Sequence, residues 1–236
     1  MAGITAQKLA HAYPLLYHMA AEGSWQSIAK HGLLSTSSLL DLFQIDGGER
    51  RALEEMHRPD SVTIQHPRHG AAVVRDQKPM SDAGLRRALG SALAPAEWYQ
   101  LLNARVFFWV TQERLGRMMR ARAYRDLRKT VIVLDTAGVL STHAANVLLS
   151  PMNSGATKPF AHMRGRETFL PLSAYPFEER ALARKEAIVE FTVRGGVLDV
   201  LPLARRVEEV GGGRSSRVLV GRGASQFDVL QDRDES

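Results

Sequence analysis

Glu190 stands in the middle of the apolar run Glu186–Val193 (EAIVEFTV), flanked by Ile188, Val189, Phe191 and Val193. An unpaired carboxylate is costly to bury, so Glu190 either faces outward from a half-exposed strand or serves a site. Other polar residues fall at similar strand ends. His18 closes the apolar stretch PLLYHM, and one helix later comes His31-Gly32-Leu33-Leu34-Ser35-Thr36. Arg75 ends a short strand and opens Arg-Asp-Gln-Lys-Pro, and Asn153-Ser-Gly follows the strand VLLS. An acid, a histidine and an arginine so placed can exchange protons or hold a polar ligand. Each also has a plain structural use: a hydrogen-bonded core histidine, a helix-ending glycine, an arginine ion-paired with Asp76. The common signatures are absent, with no GxxxxGK[ST], GxGxxG, GxSxG or HExxH. His66 and His69 lie in a Pro-Gly turn and read as exposed side chains rather than metal ligands.

These residues need a scaffold. At 236 residues the chain is the size of one domain, expected over residues 1–222 with a flexible tail at 223–236. Hydrophobic residues make up 44% and charged ones 24%, which suits a globular chain. No apolar run approaches the roughly 20 residues of a spanning helix, and no basic segment precedes an apolar one at the start. The expectation is a cytoplasmic protein with no membrane partner. The absence of cysteine excludes disulfides and thiolate-bound zinc. The net charge of +6, carried mostly by arginine, fits either a solvated basic surface or a polyanionic partner.

Along the chain the pattern predicts a strand at 14–19, a helix at 24–31 ended by Gly32, and helices at about 36–43 and 49–57. Two strands at 61–65 and 71–75 follow, then helices from Ser81-Asp82 to Leu89 and from Pro95 to about Asn103. A β-prone run Arg105–Val110 precedes a helix capped by Thr111 and read as carrying Arg114, Arg117, Arg120, Arg122, Arg125 and Arg128, most simply as a solvated face. Strands are expected at 130–135, 147–149 and 186–193, a long irregular loop at 151–180, and a final hairpin near 206–220. Strands and helices interleave too irregularly for a βαβ series. The fold class is therefore α+β, one domain with a mixed, split, antiparallel-rich sheet and flanking helices.

Three of these blocks resemble DarT-type DNA ADP-ribosyltransferases. Tyr17-His18-Met19, Trp25-Gln-Ser-Ile28 and His31-Gly-Leu-Leu34 are similar to that family's opening motif. Arg105-Val-Phe-Phe-Trp-Val110 sits where the family has its aromatic strand, without the Pro-rich continuation. Ala187-Ile-Val-Glu190-Phe-Thr-Val looks like the strand bearing its catalytic glutamate. The chain also resembles an uncharacterised bacterial family with the same blocks plus RDQ.P, SPxNSG and RGRETF.

The resemblance implies a sheet of the ADP-ribosyltransferase type and NAD⁺ as co-substrate, with Glu190 catalytic. It implies His18 on the adenosine-side ribose, the turn Gly32, Leu33, Ser35 and Thr36 beside nicotinamide, and Arg75 near the diphosphate. An aromatic of the 107–109 strand, with Phe108 at its centre, would stack on nicotinamide. Arg164 and Arg166, on the loop before the catalytic strand, would contact a nucleic-acid acceptor, DNA or RNA, and an antitoxin protein is a possible partner. Two other readings stay open. One keeps the fold but makes it an NAD⁺ hydrolase or an RNA 2′-phosphotransferase-like enzyme; the other is a non-catalytic nucleic-acid-binding protein.

Overall fold

The computed structural model describes residues 3–158, 160–184 and 186–221. The tail expected at 223–236 lies outside them. In chain order the first elements are α1 (Ala6–Ala12), β1 (Leu15–Ala21), α2 (Trp25–His31), β2 (Leu33–Leu34), α3 (Thr36–Leu42) and α4 (Gly47–Glu54). The hairpin β3 (Val62–His66) and β4 (Gly70–Val74) follows, then α5 (Asp82–Leu89), α6 (Pro95–Asn103), β5 (Arg105–Trp109) and α7 (Gln112–Arg120). The next elements are β6 (Arg128–Asp135), α8 (Thr136–His143), β7 (Val147–Ser150), β8 (Leu170–Pro171) and α9 (Phe177–Ala183). The last are β9 (Glu190–Arg194), β10 (Gly196–Val197), α10 (Val200–Leu203), β11 (Ala204–Gly211) and β12 (Arg217–Val220).

Eight strands form one antiparallel sheet in the order β12-β11-β6-β1-β5-β9-β7-β8, and the fold is α+β in a single domain. The sheet is split at its centre. β1 pairs with β6 along its whole length, from Leu15↔Asp135 to Ala21↔Lys129. β5 pairs with β9 just as fully, from Arg105↔Arg194 to Trp109↔Glu190. Between β1 and β5 there is one registered pair, Tyr17↔Trp109. Beyond it the two half-sheets part.

The core explains why the split is tolerated. On one face a single apolar cluster runs under both halves, joining Leu16, Ile132 and Leu134 to Phe108, Phe191 and Leu149, with Leu9, Val139 and Val200 packed beneath. On the other face the halves have separate cores. Tyr17, Met19, Val131 and Val133 pack with Leu115 of α7, while Trp98, Leu85, Leu89 and Phe169 cover the β5 side. Each fully buried Leu, Val or Phe contributes roughly 1.5–3 kcal/mol, so the common core holds the halves together while the divided one leaves a gap. A fourth cluster, Leu40, Phe43, Leu53, Ile64 and Val74, anchors α3, α4 and the β3–β4 hairpin beside that gap.

Several expectations need correction. The arginine helix ends at Arg120, so the six arginines share no face. Arg122 and Arg125 lie in turns, and Arg128 begins β6 against Glu22 and Glu209. The strand predicted from 186 is extended-sheet only from Glu190. Of the loop expected at 151–180, the described residues are irregular as far as Gly165, after which a 3-10 turn, β8 and α9 follow, with Phe177 buried in the shared core. α8 was not anticipated: its sequence TAGVLSTH is rich in β-branched residues, and the Asp135 carboxylate starts it by accepting from the Gly138 N–H at 2.7 Å.

Candidate functional site

Where the half-sheets part lies a cavity of about 280 Å³. Its walls include β1 from His18 to Ala21, the α2–β2 turn, β4 with the following Arg75–Gln77, β5, and Asn153–Gly155 with Glu190. By strand alternation His18 and Glu190 point to opposite faces of the sheet, because Tyr17, Trp109 and Glu190 are registered side by side. Both reach one cavity because the sheet is open between them.

Glu190 is only 6% exposed. The Ser154 backbone N–H donates to both carboxylate oxygens, at 3.1 and 3.2 Å. Burial pushes the carboxyl up to about 7, against the pull of Ser154, Arg114 and Arg164. The acid is therefore partly ionised at neutral pH. Its backbone neighbours fix it on both sides, Trp109 on β5 and Ser150 on β7.

His18 Nδ1 lies 2.9 Å from the Phe107 carbonyl. A carbonyl only accepts, so Nδ1 carries the proton and Nε2 is left as an acceptor. Burial lowers the imidazole to about 4, with Arg75 adding to the effect against the Phe107 bond, so His18 is neutral at pH 7. The bond crosses the split where ladder hydrogen bonds are missing. Arg75 performs the matching task on the other lip, where Nη1 donates to the Met19 carbonyl at 2.7 Å.

The rest of the Arg75 guanidinium has no hydrogen-bond partner among the described residues, and it stacks over the Tyr124 ring at 5.5 Å. It forms no ion pair with Asp76. Burial opposes ionisation of Asp76, but the Tyr124 hydroxyl, donating at 2.5 Å, and the nearby Arg75 outweigh it and hold the carboxyl below its ordinary value. Arg58, almost fully buried, fixes this segment by donating from Nε to the Arg75 carbonyl at 2.6 Å and from Nη2 to Asn103 at 3.2 Å.

Gly32 ends α2 with its N–H on the Ile28 carbonyl at 2.8 Å and adopts φ 86°, ψ 167°, a conformation nearly closed to other residues. A Cβ there would stand 2.7 Å from Leu198 Cα. Gly32→Ala is expected to destabilise the fold by about 2 kcal/mol or more, read as a fall in the urea midpoint, since the obstructing atom is backbone. An unchanged midpoint would show that the α2–β2 turn can move away from the 195–199 turn.

The structure brings Glu190, His18, Gly32, Leu33, Thr36 and Arg75 to the cavity, and Leu33 also belongs to the shared core. Four assignments change. Ser35 is buried, and its hydroxyl caps α3 by accepting from the Ser38 N–H at 3.2 Å, so it is not cavity lining. Phe108 packs in the shared core, and alternation turns Phe107 and Trp109 to the cavity instead. Arg164 is 4% exposed and hydrogen-bonded to loop carbonyls. Arg166 is exposed, but on another depression, paired with Glu97 at 2.8 Å. His66 and His69 are half-buried against His31 and Phe43, and the described residues hold no cluster fit for a metal ion.

Two parts of the site escaped the sequence reading. One is the Ser154 N–H clamp, for which Asn153-Ser-Gly after a strand was the available signal. The other is Arg58, which looks like any surface arginine in HRPD. Among characterised proteins no match to the chain is found. A family of unknown function, DUF7002, matches residues 14–204, a span that contains every residue lining the cavity, and the chain belongs to that family.

Proposed function

We propose that the protein is an NAD⁺-dependent mono-ADP-ribosyltransferase with a nucleic acid as acceptor. The observation that supports this reading is a buried, half-ionised carboxylate and a neutral histidine facing one cavity in a parted sheet. NAD⁺ supplies a nicotinamide–ribose bond whose cleavage leaves positive charge on the ribose and releases neutral nicotinamide. Glu190, as carboxylate, offsets that charge and takes the proton of the attacking acceptor group as the new bond to the ribose forms. Its value of about 7 suits a base working near neutral pH. His18 Nε2 accepts from a ribose hydroxyl. The open N–H groups of Arg75 fit a diphosphate, and the ring faces of Phe107 and Trp109 fit nicotinamide. The net charge of +6 favours a polyanionic acceptor over a protein.

Incubation with adenine-labelled NAD⁺ and separate DNA, RNA and protein pools tests the reading. Label is expected in a nucleic-acid pool, at a rate that climbs as pH rises through about 7 and levels off above it, because Glu190 must be ionised. Free ADP-ribose with no labelled pool would make the reaction hydrolysis. Intact NAD⁺ in every pool would remove the enzymatic reading.

A further inference from the structure

A second basic depression lies at the other end of β5 and β9. Glu190 and Arg194 are the first and last residues of β9, so these two side chains are separated by roughly 13 Å of strand. Arg105 and Arg194 are registered directly opposite each other, and Arg166 stands on the same depression. Like charges facing across a strand pair repel, which disfavours the fold unless a counter-charge joins them. Protein supplies little. Arg166 pairs with Glu97, whose other oxygen accepts from the Ala94 N–H at 2.9 Å. Arg194 is exposed and has no ion pair among the described residues. Arg105 donates from Nη1 to the Leu101 carbonyl and lies over the Phe169 ring at 4.5 Å, yet its Nε is buried with no hydrogen-bond partner. Burial, helped by the facing Arg194, lowers Arg105 to about 10, which marks a guanidinium short of negative charge.

Three guanidiniums against one carboxylate leave an excess of about two positive charges in a concave surface, where planar N–H forks suit tetrahedral oxyanions. From this convergence of Arg105, Arg166 and Arg194 we infer that the depression is a phosphate-binding site, adjoining the Glu190 cavity through Arg105, which lines both. The occupant is a phosphate group, carried either by a nucleic-acid backbone or by a small phosphorylated molecule. Nothing in this inference depends on the transferase chemistry.

Titration calorimetry at low salt, first with inorganic phosphate and then with a short single-stranded oligonucleotide, tests it. The site variant is R166Q/R194Q, two exposed positions whose neutralisation spares the core. The control is R87Q/R122Q, which removes the same charge from exposed residues elsewhere. Phosphate affinity is expected to fall tenfold or more in the site variant and less than twofold in the control. An oligonucleotide that displaces phosphate and weakens in the same variant identifies backbone phosphates as the occupant. Phosphate binding that the oligonucleotide cannot displace identifies a small phosphorylated ligand. Equal losses in both variants, or no saturable phosphate binding to the wild-type protein, would overturn the assignment.

Discussion

Glu190→Gln is expected to slow transfer by at least about a hundredfold and at the same time stabilise the protein above neutral pH. Removing the carboxylate takes away both the charge opposite the ribose and the base for the acceptor proton, a loss of about 10²- to 10⁴-fold in rate. The stability effect follows from the raised value. The folded state holds the Glu190 carboxyl at about 7 against 4.5 in an unfolded chain, so folding favours the protonated form. Below about pH 4.5 the group is neutral in both states and costs nothing. As pH rises to about 7 the unfolded chain ionises freely while the folded one resists, and stability falls by up to about 3 kcal/mol. Glutamine has the shape of the protonated acid and can still accept from the Ser154 N–H, without this penalty. The variant should therefore match the wild type near pH 4.5 and exceed it by roughly 6–12 °C in melting temperature at pH 8. His18 acts in the opposite sense, since its lowered value costs stability as pH falls from about 6.5 through 4, equally in both proteins. Differencing the two melting curves isolates Glu190. A pH-independent difference would mean that the carboxyl titrates normally, and transfer at an undiminished rate would remove Glu190 from the chemistry.

Strong local patterns carried much of this fold into the sequence. Runs such as TVIVLD and RVFFWV are β-prone whatever their surroundings, and Gly32, Ser81 and Pro95 mark helix ends by their own conformational preferences. The phase of alternation was hidden. In RVFFWV both faces are apolar, so nothing local says that Phe107 and Trp109 rather than Phe108 reach the cavity. The split was equally invisible, because it depends on β1 and β5 failing to pair beyond Tyr17 and Trp109, a property of the two cores on one face. The arginines misled most. Arg114, Arg117, Arg120, Arg122, Arg125 and Arg128 recur at helix-like intervals, yet a turn after Arg120 scatters them. A guanidinium also satisfies several carbonyls at once, so composition cannot tell a buried brace from a ligand contact.

Arg164 shows the consequence. Its Nη1 donates to the Ser154 carbonyl and Nη2 to the Ala156 carbonyl, both at 2.8 Å, and Nε to the His162 carbonyl at 3.0 Å. Those bonds fold the chain after β7 so that the Ser154 N–H faces the Glu190 carboxylate. Arg164 is thus a positioning residue, and its substitution should be felt at Glu190. Arg164→Met keeps the aliphatic stem beside Trp98 but strands three carbonyls, at a cost of about 3 kcal/mol or more. That variant reports mainly on stability. Arg164→Lys keeps the charge yet cannot reproduce the fork, and the milder change is expected to leave a folded protein with a looser clamp. With less donation from Ser154, burial dominates further, and the pH at which transfer reaches half its plateau should move upward from about 7. Affinity for an oligonucleotide should stay unchanged, since the guanidinium does not reach the surface. A normal pH midpoint in a destabilised Arg164→Lys protein would make Arg164 a loop brace alone. A loss of oligonucleotide binding with the midpoint intact would instead return it to the acceptor.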